Sequence, residues 1–333
     1  MTQIDLRGVC DKILAVIEAH KVTDGQYARW LWQDARSSRE LGVNPYGCAD
    51  AANTLYMLGE FPRDPAERAE WVRTLRAMQD PETGLYHEST HHAIHTTAHC
   101  MAALELFDAM PEHRAAALER CMEPGAMAEF LDSLGWVDNP WPQSHQGAGL
   151  YVALNLGGSE TEEFNRAYFD WLWENADPET GMWRRECTLT GVKPLWHHMA
   201  GSFHYLFNHE HAHMPLRYPE KMIDSCLAMY ENGDIPNFGK RANFIEIDWI
   251  FCLTRASRQT PHRFWEIRDA LVKFAHEYAE FWLNADYERD ESLNDLHMLF
   301  GGVCALAELQ QTLRGLIVTK KPLKLVLDRR PFI

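Results

Sequence analysis

The feature that most constrains this chain of 333 residues is an internal repeat of about fifty residues. Six segments are rich in small and apolar residues, and equivalent positions in them recur at steps of 48, 50, 50, 50 and 49 residues. These positions are Asp50, Ala98, Ala148, His198, Asp248 and His297. Self-similarity at a fixed period of this length is typical of folds built from stacked helical units. The repeat therefore predicts six similar units.

More polar stretches separate these segments, at 64–79, 160–176, 218–232 and 262–283. Their apolar residues recur at three- and four-residue spacing, which predicts helices with one buried face. Small-residue helices inside and amphipathic helices outside predict an all-α (α/α)6 toroid over residues 1–315. The N-terminal ends of the inner helices would then line one mouth.

The C-terminal tail, 316–333, carries five basic residues against one Asp, and KPLKLVLD at 321–328 is the one stretch with a strand pattern. We expect this tail to strap over the body or over a partner subunit, and a homo-oligomer is compatible with the sequence. No apolar stretch approaches the roughly 20 residues of a membrane-spanning helix. The N-terminus lacks the apolar core of a secretory signal.

Charge and cysteine usage narrow the function further. Lys and Arg number 32 against 48 Asp and Glu, which gives a net charge of −16. Such a chain repels phosphate backbones, so nucleic acid is not the expected partner. The eight cysteines form no CxxC pair, and several lie in apolar runs. They predict reduced, buried thiols of a cytoplasmic protein with no membrane partner.

Two similar turns fall about two repeats apart, QDPETGLY at 79–86 and DPETGMW at 177–183. With the fifty-residue period, they resemble two groups of toroid proteins. One group is the unsaturated glycuronyl hydrolases and related enzymes acting on sugars, which carry QDP-x-TGLW turns. The other is the prenyltransferase and terpene-cyclase-like proteins, with QDP-x-TG-G turns. The resemblance implies the toroid fold and leaves the chemistry open.

The prenyltransferase resemblance implies a zinc site formed by an Asp-x-Cys pair and a later His. The nearest matches here are Asp248, Cys252 and His297, although Asp248 and Cys252 are four residues apart instead of two. The DxDD motif of class II terpene cyclases is absent. His91, His95 and His99 recur at four-residue spacing and are a second, weaker metal candidate. The leading interpretation assigns no metal.

The predicted mouth combines polar and aromatic residues, as sugar sites do. The candidate acid/base residues are Asp248, Asp295, His145, His198 and His297. The candidate substrate-binding residues are Tyr46, Asp50, His95, Trp141, Trp183, Arg185, Trp196, Arg241 and Glu246. Trp rings would stack on sugars, and the arginines would hold a carboxylate or phosphate.

Each candidate also has a purely structural interpretation. Asp50 and Asp295 suit helix caps, and the arginines can pair with Glu186 or Glu246. The histidines can be hydrogen-bonded core residues, whereas His209, His211 and His213 are expected to be solvated at the far end.

The leading hypothesis is a carbohydrate-active enzyme that cleaves a small, uronate-containing oligosaccharide by acid/base hydrolysis or lyase chemistry. The first alternative is a prenyltransferase- or terpene-cyclase-like enzyme acting on an isoprenoid diphosphate. The second alternative is a non-catalytic toroid that binds a glycan or a peptide. Each hypothesis requires the six units to enclose a shared site.

Overall fold

The computed structural model describes residues 2–34, 39–190 and 192–333. These residues are predominantly helical, which confirms the expected all-α class. The helices are α1 Arg7–His20, α2 Pro45–Leu58, α3 Pro65–Ala77, α4 Ala93–Leu106, α5 Ala126–Ser133, α6 Pro140–Leu156, α7 Glu162–Asn175, α8 Leu195–His211, α9 Pro219–Asn232, α10 Ile245–Ser257, α11 Phe264–Asn284, α12 Glu291–Asn294 and α13 Leu296–Thr312. Short 3₁₀ helices cover Ala116–Met122 and Val326–Asp328.

All six small-residue segments form helices, which are α2, α4, α6, α8, α10 and α13. These helices are buried around most of their circumference, as expected for helices that lack a polar face. Their small residues permit close approach. A Cβ on Gly149 of α6, for example, would lie 3.1 Å from the backbone oxygen of Ile94.

These six helices contact one another in a closed cyclic order. Helix α2 contacts α4, α4 contacts α6, α6 contacts α8, α8 contacts α10, α10 contacts α13, and α13 contacts α2 again. They are called the ring helices below. Side chains at equivalent heights on them can therefore meet even when they are far apart in sequence.

The four amphipathic stretches also form helices, which are α3, α7, α9 and α11. Helix α3 contacts α2 and α4, and α9 contacts α8 and α10. Side-chain caps fix two of these starts: Asp64 accepts from the amides of Ala66 and Glu67, and Thr161 accepts from Phe164. Each amphipathic helix buries only its apolar face.

Both DPETG segments form the same capped turn. Asp80 accepts from the amides of Glu82 and Thr83, and Asp177 accepts from those of Glu179 and Thr180. Gly84 and Gly181 follow with φ of +73° and +75°, in the left-handed region that favours glycine. The sequence identity of the two turns therefore reflects backbone geometry.

The predicted strand at 321–328 is wrong. The strands are β1 Ile4–Asp5, β2 Lys21–Thr23, β3 Gln26–Tyr27 and β4 Ile317–Val318, with β1 parallel to β4 and β2 antiparallel to β3. The segment at 321–328 ends in a 3₁₀ helix because its apolar residues are drawn into the core. Leu323, Val326 and Leu327 are all buried.

The end of the chain packs against the C-terminal ends of ring helices. Arg255 of α10, fully buried, donates to both carboxylate oxygens of Glu308 at 2.6 and 3.0 Å and to Asp328 at 2.7 Å. Further along, Phe332 and Ile333 are buried, and the ring of Phe332 lies 5.0 Å from that of His95. The tail therefore contacts the C-terminal ends of α10 and α13, and its last residues reach the level of His95 in the first turn of α4.

The cysteines behave as the composition predicts. All eight are unpaired, and six are buried. Burial raises the pKa of Cys48 to about 12 and that of Cys252 well above its usual range, so these thiols are inert at neutral pH. Among the described residues, no helix combines the length and apolar character that crossing a membrane requires.

Candidate active site

Histidine side chains from four ring helices meet between the helices, near their N-terminal ends. His95 and His99 come from α4, His145 from α6, His204 from α8 and His297 from α13. His91, just before α4, lies beside them, with its ring 5.1 Å from that of His297. These six residues are called the histidine cluster. The helices place them together although they span more than 200 residues of sequence.

One half of the cluster is organised by a buried carboxylate. Asp50 of α2 accepts from His99 Nε2 at 2.8 Å and from His297 Nδ1 at 3.1 and 3.2 Å. Burial alone would raise the pKa of Asp50, but the two imidazoles lower it below its usual range. An ionised carboxylate only accepts hydrogen bonds, so both rings donate to it. His297 therefore keeps its Nε2 lone pair free.

His297 is neutral at pH 7. Burial lowers its pKa to about 4, and this effect outweighs the opposing attraction of Asp50. A neutral ring whose Nδ1 hydrogen is held by a carboxylate has a fixed orientation and tautomer. Such an imidazole is a general base of defined direction.

The other half of the cluster has no carboxylate. A ligand nitrogen from each of His95, His145 and His204 lies within 4.8 Å of the other two. The hydroxyl of Tyr46 is hydrogen-bonded to His95 Nδ1, and His204 Nδ1 lies 3.1 Å from the backbone oxygen of Ala200. Among the described residues, these three form one of two groups that have the residue types and proximity to bind a metal ion. The other group is Asp50, His99 and His297.

An ion-pair network underlies the cluster. Arg29, almost fully buried, donates to both oxygens of Asp295 at 2.8 and 3.0 Å and to Glu88 at 3.3 Å. Burial alone would raise the pKa of Asp295, but Arg29 lowers it, so this residue is a carboxylate at neutral pH. Asp295 also caps α13 by accepting from the His297 amide at 3.0 Å. Asp295, predicted to be an acid/base residue, therefore pairs with Arg29 and caps the start of α13.

The cluster reaches solvent on the side of His91 and His145, which are both partly exposed. Trp141 lies one helical turn before His145 on α6, and its ring meets that of Trp196 edge-on at 6.1 Å. Both Trp side chains are partly exposed. These two residues and the two histidines, all partly exposed, are called the entrance of the site below.

Two predicted carboxylates lie apart from the cluster. Asp248 is fully buried in α10, and neither of its oxygens has a hydrogen-bond partner among the described residues. Burial, with a contribution from Glu246, raises its pKa well above the usual range. Glu246 accepts from the amide of Gly239 at 2.9 Å, and burial raises its pKa to about 7.

The prenyltransferase-type zinc set does not converge. Cys252 Sγ donates to the backbone oxygen of Met199, whereas His297 is bound to Asp50. Neither Asp248 nor Cys252 belongs to a metal-ligand group in the described part of the chain.

His198 and Trp183 face outward from the ring. His198 Nδ1 lies 3.4 Å from the backbone oxygen of Trp183, and the Trp183 indole donates to Leu172 of α7 at 2.7 Å. Both side chains are buried. They fill the layer between α7 and α8, so the position equivalent to Asp50 in this unit points away from the cluster.

The two predicted arginines are also separate from the cluster. Arg185 lines an outer cavity of about 610 Å³ together with Arg184 and Arg217, and no residue of the histidine cluster lines it. Arg241 is exposed just before α10.

Two important residues were missed by the sequence analysis. His204 lies six residues after His198 on α8, which is about 1.7 helical turns. The repeat alignment compared only the position of His198 and therefore excluded His204. Arg29 comes from the segment before the first unit. His209, expected to be solvated, is instead buried against Trp183. Searching each small-residue helix for any histidine, at any turn, would have found His204.

Comparison of the chain with protein-family models, with curated proteins and with solved structures gives no significant match in any of the three. The function is therefore argued from the geometry of the site itself.

Proposed function

We propose that this chain is an (α/α)6 toroid enzyme, a carbohydrate lyase that cleaves a uronate-containing oligosaccharide at the entrance of the histidine cluster. The closed cyclic order of the ring helices supports the toroid. The observation that carries the activity is His297, neutral and oriented by Asp50, beside a partly exposed aromatic entrance.

The site favours elimination over hydrolysis. Hydrolysis of a glycosidic bond usually uses two carboxyl groups on either side of it. Here Asp50 accepts from two histidines, and Asp295 is paired with Arg29. Neither is free to protonate a leaving oxygen. A neutral imidazole suits removal of a weakly acidic proton next to a carboxylate.

The proposed reaction is a β-elimination at a uronate residue. His297 Nε2 takes the proton from C5, and the electron pair of that C–H bond forms a C4=C5 double bond. The C4–O bond breaks, and the leaving oxygen takes up the proton from the imidazolium. Water is not consumed, and the products are an unsaturated uronate and an alcohol. Asp50 stabilises the transient positive charge of His297.

The aromatic entrance supports a sugar as the substrate. Trp141 and Trp196 offer apolar ring faces next to polar histidines, a combination that sugars require. An isoprenoid would need a more uniformly apolar cavity. The net charge of −16 favours a small substrate over a long polyanion.

His297→Gln should lower turnover by at least about 100-fold, because a positioned general base contributes roughly 10²–10⁴-fold. The assay is the ultraviolet absorbance of the unsaturated product, measured on a panel of uronate-containing oligosaccharides. His209→Gln is the matched control: it replaces another buried histidine, outside the site, and should keep turnover within a few-fold. New reducing ends without the absorbance would show hydrolysis and contradict the elimination.

A further inference from the structure

We propose that His95, His145 and His204 form a binding site for one divalent transition-metal ion of the zinc class. The three nitrogens converge from three consecutive ring helices, α4, α6 and α8. The ring centroids of His95 and His145 are 4.3 Å apart, and those of His145 and His204 are 4.6 Å apart. Three histidines with an open fourth position are a common ligand set for catalytic zinc.

In two of these rings, His95 and His204, the nitrogen that faces away from the centre, Nδ1, already has a hydrogen-bond partner. His95 Nδ1 is hydrogen-bonded to the Tyr46 hydroxyl, and His204 Nδ1 lies 3.1 Å from both the Ala200 oxygen and the Ser144 hydroxyl. When Nδ1 carries the hydrogen, the lone pair is on Nε2. Metal-binding histidines are usually held in this way, through their other ring nitrogen.

No hydrogen bond to the inner nitrogens of these three rings is present among the described residues. No hydrogen bond joins any two of these three rings in the described part of the chain, which leaves their lone pairs facing one another. A cation at the centre would satisfy all three lone pairs.

The second candidate group provides an internal contrast. Asp50, His99 and His297 satisfy one another through hydrogen bonds of 2.8 to 3.2 Å. The candidate ligand atoms of that group are already hydrogen-bonded to one another, although His99 Nδ1, the other nitrogen of that ring, lacks a partner among the described residues. The candidate ligand atoms of the three-histidine group are not hydrogen-bonded to one another. The structure therefore assigns the metal to His95, His145 and His204.

The site is built for access from one side. His95 and His204 are 1% and 3% exposed, whereas His145 is partly exposed at the entrance. A tetrahedral ion about 2.1 Å from each nitrogen requires nitrogen separations of about 3.4 Å. The ligand nitrogens, now within 4.8 Å of one another, need to approach by at most about 1.4 Å. We expect the fourth position to lie on the side of His145, the partly exposed ligand, where a substrate oxygen can bind.

The catalytic role of this metal rests on the proposed function. The ring of His95 lies 6.3 Å from that of His297, so an ion on His95 is a near neighbour of the proposed base. An ion there would bind the uronate carboxylate and increase the acidity of the adjacent C5 proton. The metal site itself stands on the ligand geometry alone and is tested without substrate.

The test is titration of chelator-treated, folded protein with Co²⁺ and Zn²⁺ at neutral pH, followed by calorimetry and by the visible absorption of bound Co²⁺. We expect one ion per chain with nitrogen coordination. Loss of one hydrogen-bond partner of a ligand typically costs about 10- to 100-fold in affinity. Tyr46→Phe should therefore weaken binding by that factor, and His145→Gln, which removes a ligand, should weaken it by more.

His145→Gln alters a partly exposed residue, so we expect this variant to stay folded. His209→Gln, on the same helix as His204, should bind the ion like the unmodified protein. The proposal is overturned if the unmodified protein binds no ion tighter than millimolar, or if His145→Gln binds like the unmodified protein. It is also overturned if Asp50→Asn, and not His145→Gln, abolishes binding. Metal binding without sugar turnover would support the site and contradict the proposed function.

Discussion

Lowering the pH from 7 to 4 is expected to unfold this protein. His209 illustrates the cause: burial lowers its pKa to about 4, against about 6.5 in an unfolded chain. Below pH 6.5 the unfolded state binds a proton that the folded state does not. Stability is therefore full above pH 6.5 and falls progressively to pH 4. The loss is about 3 kcal/mol for this residue alone.

Other buried histidines act in the same direction. Burial also lowers the pKa of His20 and of His198, both of which lie outside the histidine cluster. Since a typical domain is stable by about 5–15 kcal/mol, a few such residues suffice for acid unfolding. The measurement is the free energy of unfolding by denaturant at pH 7, 6, 5 and 4.5, with a chelator present.

His209→Gln provides the control for this prediction. The variant lacks one group that takes up a proton on unfolding. Between pH 6.5 and 4, its free energy of unfolding should therefore fall less steeply than that of the unmodified protein, by up to about 1.4 kcal/mol per pH unit. A stability that stays constant from pH 7 to 4.5 would show that the histidines are not held neutral in the folded state.

The largest expected effect on activity comes from Asp50→Asn. The amide keeps one oxygen, but its NH₂ group takes the place of Oδ2, which now accepts from His297 Nδ1 at 3.1 Å, and two N–H groups then oppose each other there. His297 then loses either its tautomer or its orientation. Replacement of the orienting aspartate in a Ser-His-Asp triad costs about 10⁴-fold in turnover for this reason. We expect a loss of about 10³-fold or more in kcat, measured by the absorbance of the unsaturated product.

Asp248→Asn separates this account from the interpretation based on sequence alone. Asp248 is the carboxylate that the apolar context singled out, yet it has no hydrogen-bond partner among the described residues. Burial raises the pKa of Asp248 well above its usual range, so the side chain is already neutral, and an amide of the same shape changes the cost of burying it little. The geometry predicts that Asp248→Asn keeps its activity and its stability. If Asp248→Asn lost turnover and Asp50→Asn stayed active, Asp248 and not Asp50 would be the carboxylate that activity requires.

Much of the helical organisation was predictable from sequence. The small-residue segments located the ring helices, and α10, Ile245–Ser257, contains the repeat position Asp248 in its first turn. The predicted C-terminal strand failed because strand-like alternation at 321–328 reflects burial against the ring. A local alternation of apolar and polar residues does not distinguish a β-strand from an irregular segment that is buried on one side.

The site was only partly predictable. Tyr46, Asp50, His95, His145 and His297 were identified because they lie in the first two turns of their helices. His198 was included and His204 was missed because the ring helices begin at different levels relative to the histidine cluster. Residues at equal sequence spacing therefore need not lie at the same level. Arg29 could not be found at all, since its partner Asp295 lies 266 residues away.

The central claim is that a uronate reacts at the entrance of the histidine cluster, and a crystal structure of the His297→Gln variant with a bound uronate oligosaccharide tests it most directly. We predict a sugar ring against Trp141 or Trp196. The C5 atom of the uronate should be where the native His297 Nε2 would lie about 3.5 Å away. A sugar bound instead in the outer cavity lined by Arg184, Arg185 and Arg217, with none at the cluster, would contradict the account.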